Sequence, residues 1–193
     1  MTPEIRAFEY ALGLFAVLIG LAVADIATSF HRLIRSKTPI VWDPLTLLAA
    51  VYALCIAIGM WFDIWGVRNF AETRRFFFYL TLVASLFVLF LIAAASLPDD
   101  PQEQGNLREF YAANRRYFWT LMTLFQFGYL AHGLYFVGFP LPQQYLGRIL
   151  IDLAGPFAIS FLLVLLKPRV VHYGGLALLF VILAYHYAPY SIN

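Results

Sequence analysis

The chain has 193 residues, 62% of them hydrophobic and only 12% charged, with 13 Lys and Arg against 11 Asp and Glu for a net charge of +2. A soluble domain carries about 25% charged residues, so this composition excludes a soluble enzyme. The small net charge excludes a nucleic-acid binder, and the apolar excess excludes a disordered chain. With a mean hydropathy of +0.76, the sequence describes an all-α polytopic membrane protein with lipid as its solvent.

A helix that crosses a bilayer needs roughly 20 apolar residues. Six stretches qualify, at about 7–30, 44–65, 75–97, 115–137, 148–166 and 171–190. They predict a single six-helix transmembrane domain over 1–193, with 98–114 as a polar connection that extends helically into the fourth span. The first stretch is preceded by Glu4 as well as Arg6, is too long for the apolar part of a signal peptide, and is followed by no small-residue cleavage site.

The boundaries carry their own chemistry. Thr2-Pro3 and Asp43-Pro44 each read as an N-cap followed by proline at the first helical position. Leu97-Pro98-Asp99-Asp100-Pro101 ends the third helix, because proline cannot continue the backbone bonding. Asn106 then reads as an N-cap with Glu109 three residues on, so the fourth helix begins near Leu107. Trp42, Trp61, Trp65 and Trp119 lie near span ends, the pattern of an interfacial aromatic belt. Lys and Arg set orientation. Arg32, Arg35, Lys37, Arg108, Arg115, Arg116, Lys167 and Arg169 fall on one side, and Arg6, Arg68, Arg74, Arg75 and Arg148 on the other. Eight against five predicts loops one, three and five in the cytoplasm and both termini outside.

Within the first span, Asp25, Ser29 and Arg32 share a face, and Ala16, Gly20 and Ala24 form a small-residue stripe that favours close approach of another helix. Ionisable groups at membrane depth usually face a bundle interior. Asp25 is therefore read either as a carboxylate held by Arg32 or a nearby loop, or as an ion or proton site. The lone Cys55 sits inside the second span as a small buried thiol, and no Cys-x-x-Cys is present. Along the fourth helix, Gln126, Tyr129 and His132 step by three beside Gly128 and Gly133, either as a hydrogen-bonded stripe or as a cavity wall. Arg148 and Asp152 form an i,i+4 ion pair at the start of the fifth span, and Gly155-Pro156 predicts a kink after them.

Four histidines allow one specific alternative. His172 and His186 are 14 residues apart on the last helix, about 21 Å and close to four turns. By the topology above, His31 lies on the His172 side and His132 nearer His186, so that two pairs would ligate two b-type haems. No other cofactor and no metal site is expected, and no hydrolase, metalloprotease or nucleotide-binding motif appears.

The first helix reads Arg6-Ala7-Phe8-Glu9-Tyr10-Ala11-Leu12-Gly13-Leu14-Phe15-Ala16-Val17. It resembles the opening of the endolysosomal-type potassium-leak channel family, Arg-x-x-x-Phe-Ser-Asp followed by Gly and an apolar run. Arg6 and Gly13 match, Tyr10 stands for the Phe, and Ala11 and Leu12 replace the Ser and Asp. The aromatic and Arg-Asn-Phe run from Trp61 to Phe70 and the Leu97-Pro98 ending are also loosely similar. The resemblance implies an oligomer whose first helices line a pore with a hydrophobic constriction near Val17, Gly20 and Leu21. It also implies cytosolic termini, opposite to the Lys and Arg count. In overall pattern the chain is similar to small bacterial six-helix membrane proteins, through Gly20-Leu21-Ala22-Val23-Ala24-Asp25, a likeness that implies no activity.

Taken together, these features predict a small ion channel or transporter in the inner membrane, multi-pass and homo-oligomeric, with Asp25, Ser29, Gln126 and His132 along a polar route. The alternatives are a sensor or accessory subunit that meets a membrane partner protein through 98–114, and a haem electron carrier using His31, His172, His132 and His186.

Overall fold

The computed structural model describes residues 3–66, 76–102, 104–138 and 140–188, with side chains from Leu12 onward. Expectations resting on Thr2, on the side chains of Glu4, Arg6, Glu9, Tyr10 and Ala11, and on Arg68, Phe70, Arg74 and Arg75 lie outside the described residues. Six helices account for most of the described chain: α1 (Pro3–Ile34), α2 (Pro44–Gly66), α3 (Phe76–Ser96), α4 (Leu107–Val137), α5 (Gln143–Leu165) and α6 (Arg169–Tyr187). Among the described residues there is no β-strand, only one isolated bridge between Val41 and Asn106.

Among the described residues, five helices are long and apolar enough to cross a membrane: Leu12–Ile34 within α1, then α2, α3, α5 and α6. The fourth of the six expected crossings does not meet that standard. Helix α4 has the length, 31 residues, but Thr120, Thr123, Gln126, His132 and its tyrosines dilute the apolar run. The chain thus has the architecture of a multi-pass membrane protein, with five spans evident from length and apolarity.

The chain divides into two compact units, Met1–Phe110 and Tyr111–Asn193. In the first, α1, α2 and α3 pack against one another in all three pairings. The buried face of α1 is Phe15, Ile19, Ala22, Ile26, Ser29 and Leu33, a helical stripe of mostly large residues. The small-residue stripe is not that face: Gly20 and Ala24 are exposed, and nothing lies within 4 Å of a Cβ placed on Gly20.

Of the three anticipated caps, the two among the described residues form. Asp43 Oδ2 accepts the Thr46 backbone N–H at 3.2 Å, and the Thr46 hydroxyl lies 2.9 Å from that oxygen and 2.8 Å from the Leu107 carbonyl. Asn106 Oδ1 accepts the N–H groups of Arg108 and Glu109 and starts α4 at Leu107. The connection that leads into α4 is bonded to the segment between α1 and α2. Val41 N–H donates to the Gly105 carbonyl at 2.9 Å, and Leu107 N–H to the Val41 carbonyl at 3.1 Å. Gly105 is needed there, since a Cβ would meet the Pro101 carbonyl at 3.0 Å.

In the second unit, α4 ends in a glycine cap. Gly138 has φ +75° and its N–H donates to the Leu134 carbonyl at 2.9 Å. Helix α5 is interrupted by a π-helical segment, Ile149–Ala154, in which the Gly155 N–H reaches the Leu150 carbonyl, five residues back. The widened turn stands directly before Pro156, which has no N–H to give to the carbonyl four residues earlier. The expected kink site is thus a register shift in the hydrogen-bond ladder. Helix α6 returns along α5, with Gly175 against Leu163 and Ile182 against Gly155. Contacts of Gly133 with Leu153 and of the Phe127 ring with Phe157 set the register of α4 against α5.

Candidate functional site

The polar groups of the second unit line up inside it. At one end, the π-helical segment turns Asp152 into the interior, where its side chain is 3% exposed. Asp152 Oδ2 accepts from Arg148 Nε on its own helix and from His186 Nδ1 on α6, both at 3.3 Å. The Arg148 side chain is 61% exposed, so the guanidinium bridges from solvent or headgroups to a buried anion. Tyr129 of α4 sets its ring edge-on to His186 at 6.5 Å. The second carboxylate oxygen, Asp152 Oδ1, is buried and has no partner among the described residues.

Two turns further along the same buried face of α5 lies Ser160. Its hydroxyl is also buried, without a partner among the described residues. The register set by Gly133–Leu153 and Phe127–Phe157 brings buried Gln126 to the level of Ser160. Orphaned buried oxygens are rare in folded proteins and mark places where water, a proton or an ion belongs.

At the far end the network closes. His172 Nε2 donates to the Leu166 carbonyl at 2.9 Å, which fixes the tautomer and leaves Nδ1 to accept from the Tyr111 hydroxyl at 2.7 Å. The Tyr111 oxygen in turn accepts the Trp119 indole N–H at 2.9 Å. Arg115 also donates to the Leu166 carbonyl, at 3.1 Å, so the last turn of α5 is satisfied by two side chains. Trp119 is therefore no belt residue: it is fully buried, because its N–H has a partner inside. Trp42, Trp61 and Trp65 are exposed, as a belt requires.

Of the expected route residues, Asp25 and Ser29 belong to the first unit, Gln126 and His132 to the second. Asp25 is half-buried, with Oδ2 unpartnered, and Arg32 does not neutralise it by direct contact: Arg32 Nη1 donates to the Asp99 carbonyl at 3.2 Å. Ser29 is buried. His132 donates from Nδ1 to the Gly128 carbonyl one turn back, at 2.8 Å. Val17, Gly20 and Leu21 lie on the exposed side of α1. Cys55 is half-buried.

The haem alternative loses one of its ligands on chemical grounds: both His172 nitrogens are engaged. His186 is bonded to Asp152 through Nδ1 only, which leaves its Nε2 chemically able to ligate. Among the described residues, no group of three His, Cys, Asp or Glu side chains comes together to hold a metal ion. Tyr111 and the Asp152–His186 pairing escaped the sequence reading. One signal was available for the latter: the two residues lie equally far from Arg169, the first residue of α6 after the α5–α6 turn. The chain matches no family model, no curated protein and no solved structure. What the fold defines is therefore a class, a multi-pass helical membrane protein with a polar interior in its C-terminal unit.

Proposed function

We propose that the protein is a small ion channel or transporter that moves protons through the interior of its C-terminal helical unit, with Asp152 and His186 as the exchanging pair. The observation that supports this is the buried Asp152 carboxylate, bonded to His186 through one oxygen and open at the other. Intramembrane ionisable residues are expensive and are retained at ion and proton paths. π-Helical turns also recur at functional sites. Ser160 and Gln126 would continue the path by holding water, and the Tyr111–His172 pair would lie at its other end. Helix α4 would then be a sixth crossing, its polar residues turned to the interior. The exposed small-residue face of α1 would meet a second copy in an inner-membrane homo-oligomer.

The test is flux. Purified protein in liposomes loaded with a pH-sensitive dye should acidify the lumen under an imposed potential. Asp152→Asn, which keeps shape and removes the titrating group, should reduce the rate about a hundredfold or more, the scale on which a lost acid–base group acts. Unchanged flux in a variant that elutes like the parent would end the proposal.

A further inference from the structure

At the C-terminal end of α1 the first unit carries a hollow of about 350 Å³, the smaller end of the range for ligand sites. One wall is cationic: Arg32, Arg35 and Lys37, with Ser36 between them. The other is the α3–α4 connection with Asp99 and Asp100. The walls are pinned by the backbone, Arg32 Nη1 to the Asp99 carbonyl, and not by their charges. Asp100 Oδ1 accepts the Gln102 N–H at 2.8 Å. Among the described residues, no ion pair closes the gap between the two sets of opposite charge.

The hollow also sits at a particular depth. The apolar span Leu12–Ile34 ends beside it. Phe30, Ile34, Val41 and Trp42 are exposed on its flank, with the Phe30 and Trp42 rings in edge contact at 6.4 Å. Tryptophan beside a cationic helix end marks headgroup level. Lys and Arg there would serve orientation alone, but orientation needs no facing carboxylates.

We propose that this hollow binds the headgroup of an ethanolamine phospholipid, with the phosphate on Arg35 and Lys37, the ammonium between Asp99 and Asp100, and the acyl chains along Phe30 and Ile34. The chemistry selects among headgroups. A glycerol headgroup brings a phosphate and only neutral hydroxyl donors, with no positive charge to offset the two carboxylates. A choline headgroup has no N–H to donate to them. A primary ammonium supplies three donors, and hydrogen bonds to charged groups are the strong ones. The apolar flank has a role only if the ligand carries acyl chains.

The proposal is independent of the proton path and is tested by binding. Delipidated protein in detergent is titrated with dioleoyl ethanolamine, choline and glycerol phospholipids, and bound lipid is counted by native mass spectrometry. Ethanolamine lipid should bind about tenfold tighter than either of the others, the discrimination that one good charge-assisted contact supplies. Arg35→Ala with Lys37→Ala should lose that binding. Asp99→Asn with Asp100→Asn should keep lipid binding but equalise ethanolamine and glycerol headgroups, which also shows that the exposed loop still folds. Equal binding of all three lipids by the parent, or selectivity that survives the Asp99 and Asp100 changes, would overturn the proposal. Free phosphoethanolamine binding as tightly as the lipid would overturn the lipid source.

Discussion

His186 and Asp152 meet across the α5–α6 hairpin, imidazole Nδ1 to carboxylate Oδ2 at 3.3 Å, and the carboxylate keeps its other oxygen empty. The relationship depends on the π-helical segment that turns Asp152 inward and on the Gly155–Ile182 and Gly175–Leu163 contacts that set the hairpin register. A pair of this kind is held by its surroundings as much as by its own attraction, since removing one partner strands the other.

Thermal and denaturant unfolding in detergent should show that coupling. His186→Phe leaves Asp152 with only the exposed Arg148 and should cost about 1–3 kcal/mol, the penalty of an under-satisfied buried polar group. Asp152→Asn should cost a similar amount. The double variant should cost less than the sum by at least about 0.5 kcal/mol. Additive losses would mean that the two side chains do not communicate.

Tyr111→Phe removes one oxygen and strands two groups, the Trp119 indole N–H and His172 Nδ1, both on fully buried side chains. The expected loss is about 2 kcal/mol or more, above the average interhelical hydrogen bond in a membrane because two partners are orphaned together. Trp119→Phe removes the indole N–H and also opens a cavity at a fully buried site, so it too should be destabilising. The check is the double variant, which should cost less than the sum of the two losses; additive losses in unfolding midpoints would mean that the two side chains do not communicate.

Local rules made some of this legible and left the rest hidden. Asp43 and Asn106 cap helices through the residues that follow them, so their roles could be read directly along the chain. Leu97-Pro98 and Gly155-Pro156 act through missing donors, again a local matter. The interior polar column is different. Tyr111 finds His172, and Asp152 finds His186, only because two hairpins close in a definite register, and apolar helices offer many registers of similar energy. Trp119 was misread for the same reason: position near a span end suggests a belt, and only the Tyr111 hydroxyl reveals why it is inside. Ala16, Gly20 and Ala24 marked a close-packing face by spacing, but within this unit the larger residues of α1 make the buried face.

The α5–α6 hairpin should be sensitive to one methyl group. A Cβ on Gly175 would lie 2.9 Å from Leu163 Cδ2 and 3.0 Å from Cδ1, and Leu163 is itself buried. Gly175→Ala should therefore destabilise by about 1–3 kcal/mol through overpacking. Leu163→Ala should cost about 2–5 kcal/mol by opening a cavity. Combined, the new methyl occupies part of the cavity, so the double variant should be more stable than the sum of the two losses. Strict additivity in unfolding experiments would place the two residues out of contact.

The two caps should differ in weight. Asp43 is buried and its carboxylate bonds both the N–H and the hydroxyl of Thr46, while Asn106 is half-exposed and water can replace it. Asp43→Ala should cost about 2 kcal/mol and Asn106→Ala about 1 kcal/mol or less, the upper and lower parts of the range for N-caps. Comparing midpoints of the two variants in one detergent decides the order.

Helix α4 supplies the sharpest topological test, because its 31 residues can cross a bilayer by length while its polar residues fall short of the apolarity of the other five. If Gln126 and Ser160 face the interior together, the lipid sees mainly Leu124, Phe127 and Tyr135, all exposed, and crossing is favourable. In a Cys55→Ser background, Gln104→Cys and Gln144→Cys then lie on opposite faces of the membrane. By the excess of Lys and Arg on the side of loops one, three and five, an impermeant maleimide applied to intact cells should label Gln144→Cys and reach Gln104→Cys only after permeabilisation. Labelling of both from the same face would make α4 a surface helix, and a proton path between α4 and α5 would have no membrane to cross.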